Sequence, residues 1–162
     1  KSMVALAKAN NCLLQVGHVE RFNGAVMGLT KAIKKPRFIE CHRMSPFPER
    51  GDDVSVVLDL MIHDIDVVMA LDDSEIVSID AVGIPVLSQQ EDIANGRLRF
   101  ASGCVANLTA SRISMERMRK IRIFEENAYV STDYSEQQVM IYRKKPGELP
   151  KAPRISSPPD GK

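Results

Sequence analysis

The segment from Ile76 to Ser111 determines the fold class and reads IVSIDAVGIPVLSQQEDIANGRLRFASGCVANLTAS. It holds three runs of β-branched or alternating apolar residues, and turn residues at Pro85 and Ser102-Gly103 separate them. Connections this short between successive strands require antiparallel pairing. Similar runs precede and follow this stretch, so that strands are predicted at 38–44, 76–86, 92–100, 104–111, 120–124, 128–132 and 139–142.

The part of the sequence before residue 76 is mostly helical. Apolar residues at helical spacing predict helices at 2–9, 23–35 and 54–71, and a short apolar strand is predicted at 12–16. Helices first and an antiparallel sheet second is the order of α+β domains. The predicted fold class is therefore α+β, with a mostly antiparallel open sheet of six or seven strands and helices on one face.

Three segments of different composition divide the chain. Residues 1–17 combine a helix with a short strand, which is typical of the end of a preceding α/β unit. Residues 18–143 are predicted to form the main domain. Residues 144–162 contain five prolines among nineteen residues, so they are predicted to be a linker or a tail.

Composition excludes several classes of protein. The chain of 162 residues has a formal net charge of +1, which gives no overall attraction to nucleic acids or acidic membranes. Its apolar runs are too short to cross a bilayer, and its three widely spaced cysteines lack the C-x-x-C spacing of a zinc ribbon. Sparse thiols indicate a reducing compartment, so a cytoplasmic protein is predicted. A local basic patch is interpreted as a solvated strand edge or turn rather than a specific site; it consists of Arg112, Arg117, Arg119, Lys120 and Arg122.

The helix at 54–71 carries the clearest chemical pattern. Asp59, His63 and Asp66 share one of its faces, at spacings i, i+4 and i+7. Apolar residues surround the helix nearly completely and predict that it is buried. Burying a carboxylate costs free energy unless the carboxylate is paired with another group or takes part in binding or catalysis. This polar stripe therefore lines a cleft or forms a structural network.

Both interpretations of this stripe are open from the residues alone. In a cleft, His63 would act as a general acid or base, because imidazoles titrate close to neutral pH, and Asp59 would orient it or contact a substrate hydroxyl. In the structural alternative, Asp59 caps the helix and His63 is a core histidine with satisfied hydrogen bonds; for one Asp–His pair this is the more frequent case. A metal site is the weakest interpretation, since three ligands on adjacent turns of one helix rarely converge on one ion.

Two further clusters suit the binding of a ligand. His18, Arg21 and Asn23 follow the predicted short strand, and the carboxyl end of a strand is where α/β proteins bind ligands. Arg21 can clamp an anionic or polyhydroxy group, whereas Asn23 is also a good helix cap and a lone His18 is more often structural. Arg43 and Arg50 belong to a Pro-rich loop segment and suit phosphate recognition, with a solvated loop as an equal alternative.

Taken together, these segments resemble the glucose–fructose oxidoreductase / inositol dehydrogenase (Gfo/Idh/MocA) family. The family's Gly-His-x-x-Arg-Phe-Asn segment is matched at Gly17–Asn23, although Gly24 stands where many members have proline. Its Asp-x-x-x-His-x-x-Asp helix is matched at Asp59–Asp66, and its later strand-pair motif at Asp92–Gly103. Within the family, the pattern is most similar to the branch that acts on sugars of the UDP-N-acetylglucosamine type.

The resemblance implies a two-domain oxidoreductase that uses NAD or NADP. A Rossmann domain would bind the cofactor and supply a catalytic lysine in a Glu-Lys-Pro segment, but this sequence contains neither a G-x-G-x-x-G turn nor Glu-Lys-Pro. The chain is therefore expected to be the C-terminal substrate-binding and dimerisation domain, inactive alone, with no cofactor-binding residue and no metal of its own.

The resemblance also implies site residues and partners. The expected site residues are His63 and Asp59 for catalysis, and His18, Arg21, Asn23, Arg43, Arg50 and Asp66 for binding a sugar or nucleotide sugar. The family's sheet commonly dimerises through its open face, so a homodimer or higher homo-oligomer is expected, without nucleic-acid or membrane partners. The alternative from a different class is a non-catalytic dimerising or interaction domain, because fold does not fix function.

Overall fold

The computed structural model describes residues 2–47 and 53–145. Within these ranges the chain forms an open sheet of seven strands, mostly antiparallel, which confirms the α+β prediction. The strands are β1 (Phe38–Met44), β2 (Ile76–Ile84), β3 (Ile93–Phe100), β4 (Val105–Ser111), β5 (Met118–Phe124), β6 (Ala128–Asp133) and β7 (Gln138–Arg143). The α-helices are α1 (Ser2–Ala9), α2 (Gly24–Ala32) and α3 (Ile62–Leu71).

β1 lies in the middle of the sheet, whose strand order is β2-β3-β4-β1-β5-β6-β7. It pairs parallel to β4 and antiparallel to β5, and the other neighbours pair antiparallel. A parallel pair needs a long crossover. The chain between β1 and β4 supplies it: α3 passes over the sheet, and β2 and β3 follow at the edge. α3 thereby packs on the same face as α2.

The core lies between this helical layer and the inner face of the sheet. Burial alternates along β1, β3 and β4, as expected for a sheet with one packed face and one open face. Aliphatic side chains from both layers meet there and remove their apolar surface from water. The fully buried ones include Val26, Leu29, Ile39, Val67, Val68, Leu108, Ile121, Ile123 and Val130.

The helix predicted at 54–71 is divided into two parts. Residues Val57–Met61 form a π-helical turn, in which the first carbonyl accepts from the N–H five residues later, and α3 follows. Such turns are rare and are often found at functional sites. The prediction that this helix is buried on nearly all sides is wrong, because the described chain has one helical layer. Leu58 is 63% exposed and Met69 is 48% exposed on its outer side.

The first segment of the chain is exposed in the described structure. α1 has no buried residue, and the prediction of a strand at 12–16 is wrong, since the backbone there is irregular. A strand needs a neighbour to pair its N–H and C=O groups, and no described strand pairs with these residues. Of the predicted tail, residues 146–162 lie outside the described residues. The exposed apolar side chains of the first segment are Met3, Val4, Leu6, Leu13, Leu14 and Val16.

One member of the predicted basic patch is wholly buried. The guanidinium of Arg112 donates to Asp92 (Nε–Oδ1 2.8 Å), to the Val54 carbonyl (2.5 Å) and to the Ser88 hydroxyl (2.9 Å). The interpretation of the patch as a solvated edge is therefore wrong for Arg112, because the loop between β2 and β3 closes around the end of β4. Arg117, from the same patch, is exposed.

Asp92 is the buried counterion of Arg112. Its carboxylate also accepts the backbone N–H groups of Val86, Leu87 and Ser88, at 2.7, 2.6 and 2.9 Å. Burial alone would raise its pKa, but these hydrogen bonds and Arg112 outweigh burial and hold the pKa of Asp92 well below its usual range. The contribution of this carboxylate to stability is therefore complete above pH 3.8, the ordinary value, and declines as the pH falls below it.

Arg112→Met is expected to lower the free energy of unfolding by about 3–5 kcal/mol, because it breaks a buried pair by removing one partner. Arg117→Met is the matched control and should change that free energy by less than about 0.5 kcal/mol, because Arg117 is exposed. Urea denaturation of the three proteins at neutral pH measures both values. Equal decreases in the free energy of unfolding for Arg112→Met and Arg117→Met would show that the buried pair does not hold the loop between β2 and β3.

Candidate functional site

Arg21 and Asp66 form a bidentate ion pair that joins two parts of the candidate site. Arg21 lies in a 3₁₀ turn, Val19–Phe22, and Asp66 lies in the middle of α3. Nε and Nη2 of Arg21 donate to the two carboxylate oxygens, at 2.6 and 2.8 Å. The arginine side chain is 49% exposed, whereas that of Asp66 is 11% exposed, so part of the guanidinium remains open to a ligand.

Asp66 also lies close to two imidazoles. The hydrogen bond from Arg21 is the main cause that lowers the pKa of Asp66, and the charges of Arg21, His18 and His63 add to it against the effect of burial. A cleft of about 260 Å³ opens beside this cluster. The cleft is lined by residues 15–19 together with Arg21, Phe22 and Asp66. The structure thus brings together four of the side chains predicted from the sequence.

His63 has an unusual environment. It is the second residue of α3, and its Nδ1 atom is buried without a hydrogen-bond partner among the described residues. Buried polar atoms are rarely left unpaired in native proteins, so this nitrogen calls for a partner from a ligand, a water molecule or another domain. The described residues alone therefore do not satisfy this imidazole, and they also leave the buried hydroxyls of Thr132 and Tyr134 without a partner.

Asp59 lies in the π-helical turn before His63 and is exposed. The structural alternative for Asp59 was that it caps the helix. Ser55 has that role instead, because its hydroxyl accepts the N–H of Val57 at 3.2 Å and its carbonyl accepts the N–H of Asp59 at 3.0 Å. The carboxylate of Asp59 is thus accessible to a second molecule.

Arg43 is buried, in contrast to the phosphate contact expected from the sequence. Its side chain is 3% exposed, and Nε and Nη2 donate to the carboxylate of Asp64 at 2.9 and 2.8 Å. Nη1 lies 3.4 Å from Glu20, and Cζ lies 5.8 Å from the centre of the Tyr134 ring. Burial alone would lower the pKa of Arg43, but Asp64 and Glu20 raise it, so the guanidinium stays charged.

The other predicted substrate contacts have different placements. Alternation along β1 turns Arg43 inward, on the same side as Ile39, which explains why it does not reach solvent. Asn23 caps α2, since its Oδ1 accepts the N–H of Ala25 at 3.0 Å; this is the structural role that the sequence left open. Arg50 lies outside the described residues, so its role stays a prediction.

The sequence interpretation missed Asp64 and Glu20, the two acids beside Arg43. Asp64 lies three residues after Met61 and four before Val68, and all three are buried on the same side of the helix. That spacing is the signal by which an acid on a buried stripe can be identified. The sequence offers no comparable signal for the π-helical turn, which depends on how the chain enters the helix.

The remaining properties of residues 2–47 and 53–145 concern metal ligands, apolar helices and thiols. In these ranges, no group of three or more His, Cys, Asp or Glu side chains is arranged to hold a metal ion. The same part of the chain has no helix with the length and hydrophobicity needed to span a membrane. Cys12, Cys41 and Cys104 are free thiols, and burial raises the pKa of Cys104 to about 12.

Residues 30–131 match the family model described as the GFO/IDH/MocA C-terminal domain. A curated relative, the UDP-N-acetylglucosamine 3-dehydrogenase of Acidithiobacillus ferrooxidans, is 34% identical over 155 residues. The match covers 95% of this chain and 50% of the relative. The chain therefore spans about half the length of the curated relative that it matches.

Two solved structures extend the comparison. UDP-N-acetylglucosamine 3-dehydrogenase GnnA from Acidithiobacillus ferrooxidans superimposes with a TM-score of 0.80 at 35% identity, over 88% of this chain and 48% of that chain. The WlbA dehydrogenase from Chromobacterium violaceum, in complex with NADH and UDP-GlcNAcA, has a TM-score of 0.76 at 15% identity. The match covers 89% of this chain and 48% of the WlbA chain. Because the identity is 15%, the match shows a similarity of fold alone.

Proposed function

Because this chain belongs to the GFO/IDH/MocA C-terminal domain family, we propose that it is the substrate-binding half of a sugar dehydrogenase that uses NAD or NADP. The proposed substrate is a nucleotide sugar of the UDP-N-acetylglucosamine type, for which the Acidithiobacillus relative is named. The observation that carries the proposal is the unpaired, buried Nδ1 of His63 close to the Arg21–Asp66 pair.

In this proposal His63 moves the proton of the reaction. Oxidation of an alcohol removes a proton from its oxygen and a hydride from its carbon, so a base must stand within hydrogen-bond reach of the hydroxyl. His63 accepts that proton, and Asp59, one turn earlier and exposed, orients the imidazole or the hydroxyl. The open part of the Arg21 guanidinium donates hydrogen bonds to sugar hydroxyls or to phosphate.

The cofactor is proposed to bind mainly outside this chain and, when bound, to take up the hydride. Residues 15–19 line the cleft, so the site adjoins the segment that we assign to the end of a cofactor domain. The exposed apolar side chains of residues 1–17 suit packing against such a domain. In this division of the chain, 18–143 is the substrate-binding and dimerisation domain and 144–162 a linker or tail. The free thiols suit the cytoplasm.

The outer face of the sheet is proposed to form a homodimer. Contacting aromatic rings cross four of its strands, and exposed apolar side chains accompany them. Opposite charges also lie side by side there, as in the Arg122–Glu40 pair at 2.9 Å, so a second copy turned around a twofold axis can complement the face. The apolar residues of this face include Phe38, Phe124, Tyr129, Tyr142, Val82, Ile84 and Met140.

The catalytic proposal is tested with the full-length protein that carries this chain. NAD or NADP is supplied with UDP-N-acetylglucosamine, myo-inositol or glucose, and the reduced nicotinamide is measured. Turnover of the nucleotide sugar is expected, and His63→Asn is expected to lower kcat by about 10²–10⁴-fold, because the base is lost. Asp59→Asn should also lower kcat, whereas Asp73→Asn, an exposed acid after α3, serves as the matched control and should not.

Three outcomes would contradict parts of this proposal. A near-normal kcat for His63→Asn would give that histidine a structural role only. Turnover of a free sugar or polyol alone would support a dehydrogenase but would contradict the proposal that its substrate is a nucleotide sugar. Absence of both turnover and cofactor binding would favour a non-catalytic dimerising or interaction domain.

The dimer proposal predicts that this chain sediments as a dimer at micromolar concentration. Thr109 lies on the outer face of β4, so Thr109→Arg places a bulky charge in the interface and is expected to shift the chain to monomer. Thr30→Arg, at an exposed position of α2 in the helical layer, is the matched control and should remain dimeric. A monomeric wild-type chain, or two variants that dimerise equally, would contradict the assignment of this face.

A further inference from the structure

Two bidentate arginine–aspartate pairs hold α3 through the two acids that follow His63 in the sequence. Asp64, the next residue, binds Arg43 of β1, and Asp66 binds Arg21 of the 3₁₀ turn. The two pairs tie the helix to two different elements. The inner pair is buried, with side-chain exposures of 3% for Arg43 and 5% for Asp64.

Resting on the function proposed above, we propose that Arg43, Asp64 and Glu20 are positioning residues that fix the orientation of His63 toward the substrate. None of the three is expected to touch the substrate, because Arg43 and Asp64 are buried and Glu20 is directed to arginines. Their effect passes through the backbone of α3, on which Asp64 and His63 are neighbours.

Burying two charges costs free energy, which their mutual attraction largely offsets. A buried ion pair adds little net stability, since a hydrophobic pair of similar volume is often as stable or more stable. Its particular property is geometry: the planar guanidinium and the carboxylate meet at two fixed distances, which sets both position and rotation. Rotation of α3 would move Asp64 away from Arg43, so the pair opposes any rotation that would also move His63.

Glu20 extends this restraint to the turn that carries Arg21. Its Oε1 lies 3.4 Å from Arg43 and 3.7 Å from Arg119 of β5. Within the turn, Arg21 thus binds Asp66 of α3 directly, and Glu20 contacts Arg43, which binds Asp64 of α3. The turn, β1 and α3 are therefore each in contact with the other two, close to His63. A misplacement of about 1 Å in such a site costs about 100-fold in rate, which is the size of effect available to these residues.

The experiment must separate positioning from stability. Asp64→Asn alone leaves Arg43 buried with only the more distant Glu20 as a counterion and can fail to fold, so the decisive variant is Arg43→Met/Asp64→Leu, which removes both charges together. Its urea midpoint is expected to equal or exceed that of the wild-type chain. The matched control is Arg122→Met/Glu40→Leu, which removes the pair on the opposite face of β1.

The first readout is the NMR order parameter of the His63 imidazole in this chain, which requires no substrate. It is expected to be about 0.8 in the wild-type chain and below about 0.6 in Arg43→Met/Asp64→Leu, and to be unchanged in the control. In the full-length dehydrogenase, the same double variant is expected to lower kcat by about 10–100-fold with little change in KM.

A folded Arg43→Met/Asp64→Leu variant with an ordered imidazole and a normal kcat would overturn the proposal. Equal loss of imidazole order in the control would also overturn it, because the effect would then not depend on contact with α3. The NMR measurement tests the positioning role without any turnover. A wild-type protein that oxidises no sugar would count against the proposed function, and the NMR result would still decide on positioning.

Discussion

The parallel pairing of β1 with β4 is the constraint on which the rest of the structure depends. Parallel neighbours cannot be joined by a hairpin, so the sixty residues from Ser45 to Cys104 must leave the sheet and return. The return path lays the π-helical turn and α3 over the inner face and adds β2 and β3 at the edge. The position of His63 over the sheet is therefore a consequence of the crossover between two central strands.

Three arginines, two of them buried, then fix this crossover at several points. Arg112 holds the Val54 carbonyl, and the N–H of Val56 donates to the Glu91 carbonyl at 2.9 Å, so the base of the π-helical turn is tied to the loop between β2 and β3. Further along, Arg43 and Arg21 bind acids on either side of the same helix. Burying charge costs free energy. In this chain the charged pairs join the crossover to the loop between β2 and β3, to β1 and to the 3₁₀ turn, and these contacts determine the positions of the candidate catalytic side chains.

Period-two alternation and turn residues were sufficient to predict the seven strands, because each strand has neighbours within the chain. The strand predicted at 12–16 failed for the opposite reason: the described chain supplies no neighbour. The pairing of β1 with β4 was not predictable, since strand order depends on contacts between distant residues. The fold class thus follows from local pattern, whereas the sheet order follows from long-range packing.

The candidate site was predictable where residues act through spacing. Asp59, His63 and Asp66 were identified from helical periodicity, and Arg21 from its place after an apolar segment, but its pairing with Asp66 is a tertiary contact. Arg43 was expected to be exposed because it adjoins a polar loop, and the alternation of β1 instead turns it inward to Asp64. Charge alone does not reveal whether an arginine faces solvent or a buried acid.

A crystal structure of the full-length protein with NAD and UDP-N-acetylglucosamine bound tests the proposed role of His63 most directly. We expect a sugar hydroxyl to lie within hydrogen-bond distance of the His63 imidazole, and the ligand to contact the open part of the Arg21 guanidinium. A nucleotide sugar bound elsewhere, with His63 away from every hydroxyl that can be oxidised, would rule out this role.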